Sequence, residues 1–469
     1  MPATWINQKS SLRPNKYPNE AVILSAVRTP IGRFQGSLAG FSAPELGAVV
    51  IREAVKQAGI PKLEEIDEVL MGTVVAAGQG QAPACQAAIW GGLPASVGAT
   101  TVNKVCGSSM KAAMLAAQSI RAGDGALFVT SGMESMSRAP FLVEGRTGTL
   151  RFGHAQLTDA LLYDGLWDLL ANWGMGDAAE FIADEYKVTR QSMDEFSHAS
   201  YQKASAAISS GRFKAEIVPV EIPNRKSPPT IVDTDESPRC DCTLEVLAKL
   251  KPAFKEGGKV TAGNAPGLND GVAALVVASR VKAEAIGKTP LARIVGYTQV
   301  ALDPKYLFIA PAKAIPRLLG QVRWKLADVD LVEINEAFAA QVLADGYTMA
   351  DLGWDWSKLN VNGGAIALGH PIGASGARTL TTLIYALKDR GLKRGVASLC
   401  LGGGETVAMA VEVEGKKLKP RARQMRHAPT KAEQFFWQKP IFITHPSPLS
   451  MKWRGAGGEV RRITLCMKP

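Results

Sequence analysis

Short apolar runs alternate along this chain with segments that carry apolar residues at helical spacing. Residues 21–27 form an almost unbroken apolar run, as buried strands do. Residues 45–59 have helical apolar spacing and end at a glycine, and residues 66–71 predict a second short strand. This alternation predicts an α/β core whose strands are covered by helices on both faces, with folded structure beginning near residue 20.

Two segments of the chain resemble each other. Residues 63–72 and 326–335 share an acidic and apolar pattern, and Cys106 and His370 follow them at nearly equal intervals. Each of these two residues precedes a Gly/Ser-containing turn, a helical pattern and an apolar strand. Chance similarity is the simplest alternative, but agreement over three successive elements favours a duplicated α/β unit with one site residue from each half.

The duplication also predicts how the chain is divided. The middle of the chain is richer in Trp, Tyr and charge, and it predicts an inserted region that lines a substrate entrance. The end of the chain has no usable periodicity. The predicted parts are a disordered leader at 1–19, an N-terminal half at 20–134 completed by about 260–287, an inserted loop domain at 135–259, a C-terminal half at 288–414 and a basic, disordered tail at 415–469.

The net charge of +11 belongs to the tail. Beyond residue 414 there are thirteen Lys and Arg residues against two acids, so the rest of the chain is neutral. A basic face for nucleic acid is therefore not expected on the folded body. A protein whose tail binds RNA or a membrane surface stays open as an alternative from another functional class.

No membrane span and no disulfide scaffold are expected. The longest charge-free run, residues 69–103, contains glutamines, prolines and glycines that do not suit a spanning helix. Six cysteines are sparse for a chain of this length, and Cys240 and Cys242 have no further metal ligands nearby. These features favour a reducing cytoplasmic setting without a bound metal, although the acid-free basic leader leaves an organellar presequence open.

Cys106 is the first candidate for chemistry. A predicted strand ends at Val105, and a helix with small residues in its first turn follows directly. Unpaired backbone N–H groups and the positive end of the helix dipole would stabilise a thiolate there and lower its pKa. A small buried hydrophobe is the competing interpretation for a free cysteine, and local sequence does not separate the two.

Three further residues have contexts that suit catalysis. His370 lies in a segment, residues 362–376, with five glycines, so a substrate can approach its imidazole closely. Cys400 precedes three glycines whose N–H groups can form an oxyanion hole, and Asn335 follows a predicted strand. Because active sites of α/β proteins gather at strand ends, these residues and Cys106 are expected at one rim.

Four motifs, in this order and spacing, resemble the thiolase family. They are Val-Cys-Gly-Ser-Ser-Met-Lys-Ala at 105–112, Asn-Glu-Ala-Phe-Ala at 335–339, Gly-His-Pro-Ile-Gly-Ala-Ser-Gly-Ala-Arg at 369–378 and Cys-Leu-Gly-Gly-Gly at 400–404. The likeness extends from about residue 20 to residue 414 and is nearest to the short-chain acetoacetyl-CoA thiolases. It implies a duplicated, thiolase-like α-β-α-β-α layered core and a homotetramer or homodimer.

The resemblance also implies a mechanism. Cys106, activated by His370, would attack an acyl-CoA and release CoA, and Cys400 would deprotonate acetyl-CoA for a Claisen condensation. Coenzyme A is then substrate and product, and no metal or redox cofactor is required. One oxyanion hole would use the backbone N–H groups of Cys106 and Gly402, and the other would use His370 and a water held by Asn335. The residues expected to contact the substrate are Met175, Pro266, Leu307 and Phe338.

Three positions depart from the family pattern. Pro266 stands where a serine usually contacts the pantetheine arm of CoA, Gly174 replaces a usual histidine, and Thr406 replaces a usual glycine. All three are expected to touch the acyl-CoA channel, so weaker CoA affinity or a shifted acyl preference is predicted.

Other activities remain open within this resemblance. A degradative 3-ketoacyl-CoA thiolase for longer chains is the nearest rival, and a bulky residue such as Phe308 near the channel would favour short acyl groups. A ketosynthase-type enzyme normally needs a second histidine where Asn335 stands. A catalytically inactive homologue is the last alternative.

Overall fold

The computed structural model describes residues 19–145, 152–224 and 227–414. The predicted leader, apart from residue 19, and the predicted tail at 415–469 lie outside the described residues. Within the described part of the chain, no helix combines the length and the apolar character needed to cross a bilayer.

The strands include a long central set and several two-residue or three-residue pairs. In chain order they are β1 (Ala21–Arg28), β2 (Gly32–Arg33), β3 (Glu68–Gly72), β4 (Gly98–Val102), β5 (Leu127–Ser135), β6 (Phe141–Leu142), β7 (Thr158–Asp159), β8 (Trp167–Asp168), β9 (Trp173–Gly174), β10 (Val220–Ile222), β11 (Thr230–Val232), β12 (Asn269–Ser279), β13 (Ala292–Ala301), β14 (Leu331–Ile334), β15 (Arg394–Leu401) and β16 (Glu405–Val413).

The helices follow the predicted periodic segments and often end at glycines. They are α1 (Ala43–Ala58), α2 (Pro83–Trp90), α3 (Ser108–Ala122), α4 (Met175–Glu185), α5 (Arg190–Ser209), α6 (Leu244–Ala248), α7 (Arg280–Ala285), α8 (Pro311–Val322), α9 (Ala339–Thr348), α10 (Ala365–Leu368) and α11 (Ser375–Arg390). In α1, Ser42 and Glu45 form a reciprocal capping box, and Gly59 closes the helix at φ 69°.

The main sheet repeats one strand order in the two halves of the chain. Its order is β14-β15-β16-β13-β1-β12-β5-β3-β4. The N-terminal half contributes β1-β12-β5-β3-β4, and the C-terminal half contributes β13-β16-β15-β14. Read from the centre of the sheet outwards, the strands of the two halves follow one another in the same arrangement. In place of β4, the C-terminal half has a single parallel bridge between Val332 and Leu359. The predicted duplication is therefore present in the sheet.

The two similar sequence segments occupy equivalent places. Each forms a short 3-10 turn followed by a strand, β3 in one half and β14 in the other. One carboxylate oxygen of Asp67 accepts the N–H groups of Ala126 (2.6 Å) and Leu127 (2.8 Å). Asp330 likewise accepts those of Lys393 (2.9 Å) and Arg394 (2.8 Å). The repeated aspartate therefore positions the start of the neighbouring strand, β5 or β15.

The core has five layers. Helices α3 and α11 share one buried cluster with side chains from strands of both halves. On the opposite strand faces, α1 and α2 cover the N-terminal half, and α8 and α9 cover the C-terminal half. Alternation along strands makes this possible, since Leu70 faces α3 while Met71 faces α1. The prediction of a layered α-β-α-β-α core is confirmed.

The segment between the halves packs mainly against the C-terminal half. Its helices α4 and α5 place Ile182 and Tyr201 in the same cluster as Val332 of β14. Arg28 at the end of β1 joins it through buried ion pairs with Glu216 (2.7 Å) and Asp235 (2.6 Å). This segment supplies much of the wall of the cavity described next.

Candidate active site

Cys106 lies in a tight turn between β4 and α3. The strand ends at Val102, three residues earlier than predicted, and α3 begins at Ser108. Val105 has a left-handed φ of 48°, which is strained for a β-branched residue. The turn is closed by Ser108, whose hydroxyl accepts the Lys104 N–H (2.8 Å) and donates to the Val105 carbonyl (2.6 Å). The thiol is thus presented at a helix N-terminus.

His370 lies between α10 and α11, so the prediction that all four site residues follow strands is wrong for it. The difference arises because the C-terminal half has only an isolated bridge where the N-terminal half has β4. Asn269 accepts the His370 backbone N–H (2.9 Å), and Nδ1 of the ring lies 2.6 Å from the Ser375 hydroxyl. One hydrogen bond therefore holds the His370 backbone and another holds its ring.

The Ser375 contact determines which ring nitrogen carries the proton. The Ser375 hydroxyl donates to the Pro371 carbonyl (2.9 Å), so towards His370 it acts as an acceptor. Nδ1 then carries the hydrogen, and Nε2 keeps a free lone pair. The Nδ2 atom of Asn335 lies 3.5 Å from Nε2 and can donate to it.

Cys400 and Asn335 complete the set from neighbouring strands. Cys400 lies in β15 and is buried, and Asn335 follows β14 directly, four residues before α9 begins. Asn335 is fully buried, and among the described residues its Oδ1 atom has no hydrogen-bond partner. A buried amide oxygen without a protein partner suits a bound water.

One cavity of about 290 Å³ brings the predicted residues together. Cys106, His370, Cys400 and Gly402 line it, while Asn335 lies behind His370. The four predicted substrate contacts also line this cavity, namely Met175, Pro266, Leu307 and Phe338. Most of the remaining wall is apolar, so the polar catalytic groups are concentrated at one end of an otherwise hydrophobic pocket.

The backbone around Cys106 offers two donors to the sulfur. The N–H groups of Cys106 and Gly402 lie close enough to the sulfur to oppose the effect of burial on its pKa. They come from different halves of the chain, since Gly402 begins the loop between β15 and β16. Two converging backbone donors beside a nucleophile are the geometry of an oxyanion hole.

Burial sets the protonation of the three titratable groups. It raises the pKa of Cys106 to about 12, against the weaker opposing effect of the two N–H groups. The prediction of a lowered Cys106 pKa is therefore wrong for the free protein, because desolvation outweighs the helix terminus. Burial, with the nearby Arg378 charge, lowers the pKa of His370 to about 3. Burial and Cys106 raise the pKa of Cys400 well above its ordinary value.

Comparison with known proteins identifies the family. A model of the thiolase N-terminal domain matches residues 21–281, and a model of the thiolase C-terminal domain matches residues 288–413. Together these matches cover most of the chain. The chain belongs to the thiolase family.

Proteins that are about 50% identical to this chain align with it over nearly their whole length. An acetyl-CoA acetyltransferase of Pseudomonas aeruginosa is 52% identical over 392 residues, covering 84% of this chain and 99% of the relative. One from Cupriavidus necator is 53% identical over 393 residues, covering 84% and 99%. The crystal structure of the Bacillus anthracis acetyl-CoA acetyltransferase superimposes with a TM-score of 0.81 at 43% identity, covering 85% of this chain and 100% of that one.

Of the three departures from the thiolase pattern, two lie in the cavity wall and one does not. Pro266 and Gly174 line the cavity. Thr406 does not, which corrects the expectation that all three touch the channel. It is buried in β16 opposite Cys400, and its hydroxyl donates to the Leu399 carbonyl (2.7 Å). Thr406 is therefore accommodated inside the hairpin.

The aromatic wall of this thiolase is formed by residues distant in sequence. The rings of Phe308 and Phe338 meet edge to face with centroids 5.3 Å apart, and Phe254 lies 6.3 Å from Phe338. All three line the cavity, and Phe254 covers Gly176 so closely that an added Cβ would lie 2.2 Å from its ring. Phe308 thus lies in the pocket wall.

Sequence reasoning missed several supporting residues. Glu134 is fully buried and accepts N–H groups from Val74 (3.0 Å), Val75 (3.2 Å) and Gly373 (2.9 Å), joining loops of both halves. Burial raises its pKa to about 7. Ser375 lies in the motif at 369–378, but its hydrogen bond to His370 depends on the orientation of the two side chains, which the sequence does not give. Among the described residues, no group of three His, Cys, Asp or Glu side chains is arranged to hold a metal ion.

Proposed function

We propose that this thiolase is an acetyl-CoA C-acetyltransferase, which reversibly condenses two acetyl-CoA molecules to acetoacetyl-CoA and CoA. The observation that carries the proposal is the convergence of two thiols, Cys106 and Cys400, and a neutral imidazole on one apolar cavity. The relatives named acetyl-CoA acetyltransferase support the substrate.

In the first half-reaction, Nε2 of His370 takes the proton of Cys106 while the sulfur attacks the acetyl carbonyl. The low pKa of His370 keeps Nε2 unprotonated before the attack. The carbonyl oxygen develops negative charge, which the N–H groups of Cys106 and Gly402 stabilise. The CoA thiolate leaves and takes the proton of Cys400, giving acetyl-Cys106 and a Cys400 thiolate.

In the second half-reaction, the Cys400 thiolate removes a proton from the methyl group of a second acetyl-CoA. The resulting enolate oxygen accepts a hydrogen bond from the imidazolium of His370 and one from a water held by Asn335. The carbanion attacks acetyl-Cys106, and acetoacetyl-CoA forms as the Cys106 sulfur leaves and recovers its proton from His370. No metal or redox cofactor enters these steps, because the thioester already acidifies its α-carbon.

The pocket wall favours a short acyl group. Phe308 is buried and packs against Phe338, so neither ring can move aside without disturbing the cluster around it. A cavity of about 290 Å³ bounded by these rings suits an acetyl or acetoacetyl group better than a long chain. Thiolysis of 3-ketoacyl-CoA substrates of four to twelve carbons should decline steeply with length. Equal rates across the series would favour the degradative alternative.

Acetyl labelling of the intact protein tests the central step. We expect one acetyl group per chain after incubation with acetyl-CoA, detected by mass spectrometry of rapidly quenched protein. Cys106→Ala should abolish the adduct, and Cys85→Ala, at an exposed cysteine outside the cavity, should leave it unchanged. A wild-type protein without an adduct, or an adduct that survives in Cys106→Ala, would overturn the assignment.

The two departures inside the cavity are expected to weaken CoA binding. At Gly174, an added Cβ would lie 3.2 Å from Asp177 and 3.9 Å from the Trp167 ring, so a side chain fits with a small adjustment. Gly174→His and Pro266→Ser should therefore lower the KM for acetoacetyl-CoA. A KM that is unchanged in both variants would show that neither departure affects substrate binding.

The proposal extends to the assembly that the family resemblance implies and to the reducing compartment that six sparse cysteines favour. A homotetramer or homodimer in the cytoplasm, serving lipid metabolism, is the expected setting. Size-exclusion chromatography with light scattering measures the oligomeric state. A monomer with the chain mass of 49.8 kDa would contradict the expected dimer or tetramer.

A further inference from the structure

The two N–H donors of the oxyanion hole lie on loops that are remote in sequence. Cys106 belongs to the turn that follows β4, and Gly402 begins the loop between β15 and β16. An oxyanion hole works only when both donors aim at one point, and an error of about 1 Å can reduce a rate about 100-fold. The two loops therefore need a device that fixes one against the other.

The backbone of both loops is unusual at this place. Val105 is held at a φ of 48°, and Gly403 and Gly404 have φ values of 82° and 83°. A Cβ added at Gly402 would lie 3.3 Å from the side chain of Val105, so the loops are in close contact. Glycine-rich backbone is permissive, so the conformation of the loop from Gly402 to Gly404 depends on contacts at its two ends. At one end, the Gly404 carbonyl accepts the Leu302 N–H (2.8 Å).

An ion pair joins the two loops beside this contact. The Lys104 ammonium group contacts the Glu405 carboxylate, and the two side chains are 23% and 28% exposed. Lys104 also belongs to the turn that Ser108 closes, and Glu405 pairs with Leu401 across the hairpin. The pair therefore links backbone that directly flanks both donors.

We infer that the Lys104–Glu405 ion pair positions the oxyanion hole by holding the Gly402 N–H against the Cys106 turn. The inference rests on the proposed acetyl transfer, because it assigns a role in that reaction. Lys104 and Glu405 are positioning residues, since neither lines the cavity. Their loss disturbs charge stabilisation in the transition state more than substrate binding, so the rate of Cys106 acetylation falls while KM changes little.

The test uses three variants and a control. Lys104→Gln and Glu405→Gln each remove one charge, and the double variant Lys104→Glu with Glu405→Lys restores the pair in reverse. The control is Lys282→Gln, which breaks a pair with Glu65 of similar exposure, 20% and 37%, between residues outside the cavity. Single-turnover acetylation by acetyl-CoA is followed by quenching and mass spectrometry, with thermal unfolding measured in parallel.

Each single variant is expected to acetylate Cys106 roughly 5-fold to 30-fold more slowly, with KM within about twofold of wild type. The reversed pair should recover to within about threefold, and Lys282→Gln should match wild type. A general loss of stability would lower the unfolding temperature without producing recovery in the reversed pair.

Three outcomes would overturn the inference. They are unchanged acetylation in both single variants, no recovery in the reversed pair, or a raised KM in Lys104→Gln alone, which would assign Lys104 to the CoA phosphates. Failure of the proposed function itself is distinguishable, because wild-type protein would then carry no acetyl group on Cys106.

Discussion

At the scale of single residues, the catalytic base depends on groups that do not react. The Ser375 hydroxyl accepts the Nδ1–H of His370 and donates its own hydrogen bond to the Pro371 carbonyl. Nε2 is then the unprotonated ring nitrogen, on the side of Asn335. Burial keeps the ring neutral. One hydroxyl thus fixes the tautomer of His370, and the exclusion of water keeps its Nε2 lone pair unprotonated.

Removing that hydroxyl is expected to impair catalysis more than folding. In Ser375→Ala the ring can adopt the other tautomer or rotate, so kcat should fall roughly 10-fold to 100-fold with a smaller change in KM. Steady-state thiolysis of acetoacetyl-CoA measures this. Ser197→Ala removes a buried hydroxyl that donates to Met193 in α5, away from the site, and serves as the control. Equal effects of both substitutions would refute the tautomer argument.

The protonation of His370 should be visible directly. Its pKa is lowered to about 3, so the neutral form persists as pH falls from 8 to 5, whereas an ordinary histidine becomes charged near 6.5. In spectra of protein labelled with ¹³C-histidine, the ring signal of His370 is expected to stay unchanged over this range. The signal is assigned by its loss in His370→Gln. A midpoint near 6.5 for that signal would contradict the prediction.

At the scale of elements, the connection from β14 to α9 carries Asn335 and Phe338 into the site. Glu336, between them, accepts from Ser200 (2.8 Å), Asn360 and the Ile366 N–H. The next N–H, of Ala337, donates to the Gln341 side chain (3.1 Å). Buried hydrogen bonds from several elements therefore hold this connection in one conformation.

The variant Gln341→Leu tests whether the Gln341 side chain helps to hold the connection from β14 to α9 in place. The buried Ala337 N–H and the carboxylate of Asp345 would each lose a partner, at a cost of about 1–3 kcal/mol in the free energy of unfolding. We also expect kcat to fall about 10-fold, because Asn335 moves with the loop. Denaturant unfolding and steady-state kinetics measure the two effects, with Gln191→Leu on the exposed surface of α5 as control. Wild-type kcat in Gln341→Leu would show that the loop keeps its place without this bond.

At the scale of the whole molecule, the two halves meet through close backbone contacts under the site. A Cβ added at Gly132 of β5 would lie 2.1 Å from the Gly373 carbonyl, and one at Gly376 would lie 2.5 Å from the Met110 N–H group. Ser109 of α3 also accepts the Ala377 N–H (2.8 Å). The site is assembled where these halves touch.

Gly132→Ala should therefore destabilise the protein strongly. The methyl group meets backbone, which cannot move aside like a flexible side chain, so we expect a loss of about 3 kcal/mol or failure to fold. Gly98→Ala, where no atom lies within 4 Å of the added Cβ, should change the free energy of unfolding by less than about 0.5 kcal/mol. Denaturant unfolding and soluble yield compare them. Similar stability of the two variants would mean that the halves are free to separate.

Much of this architecture could be predicted from the sequence, because its determinants are local. The apolar periodicities placed β1, α1 and β3 to within about two residues. The similar segments that contain Asp67 and Asp330 revealed the duplication. In the structure the two aspartates make equivalent contacts, with residues 59 and 64 positions further along the chain. The motifs around Cys106, His370, Cys400 and Asn335 carried the family resemblance, since their spacing reflects a shared fold. Local patterns along the chain are therefore enough to predict the fold class and the chemical groups of the site.

How those groups behave depends on the packing of distant segments. The pKa of Cys106 is raised instead of lowered, because residues far along the chain partly bury its thiol. The placement of Thr406 inside a hairpin and of Phe308 in the cavity wall likewise depends on packing between distant segments. Desolvation and contact depend on every neighbour in space, whereas periodicity reports neighbours along the chain. Cys106 is therefore identifiable as a candidate from its motif, but its protonation is a property of the folded protein.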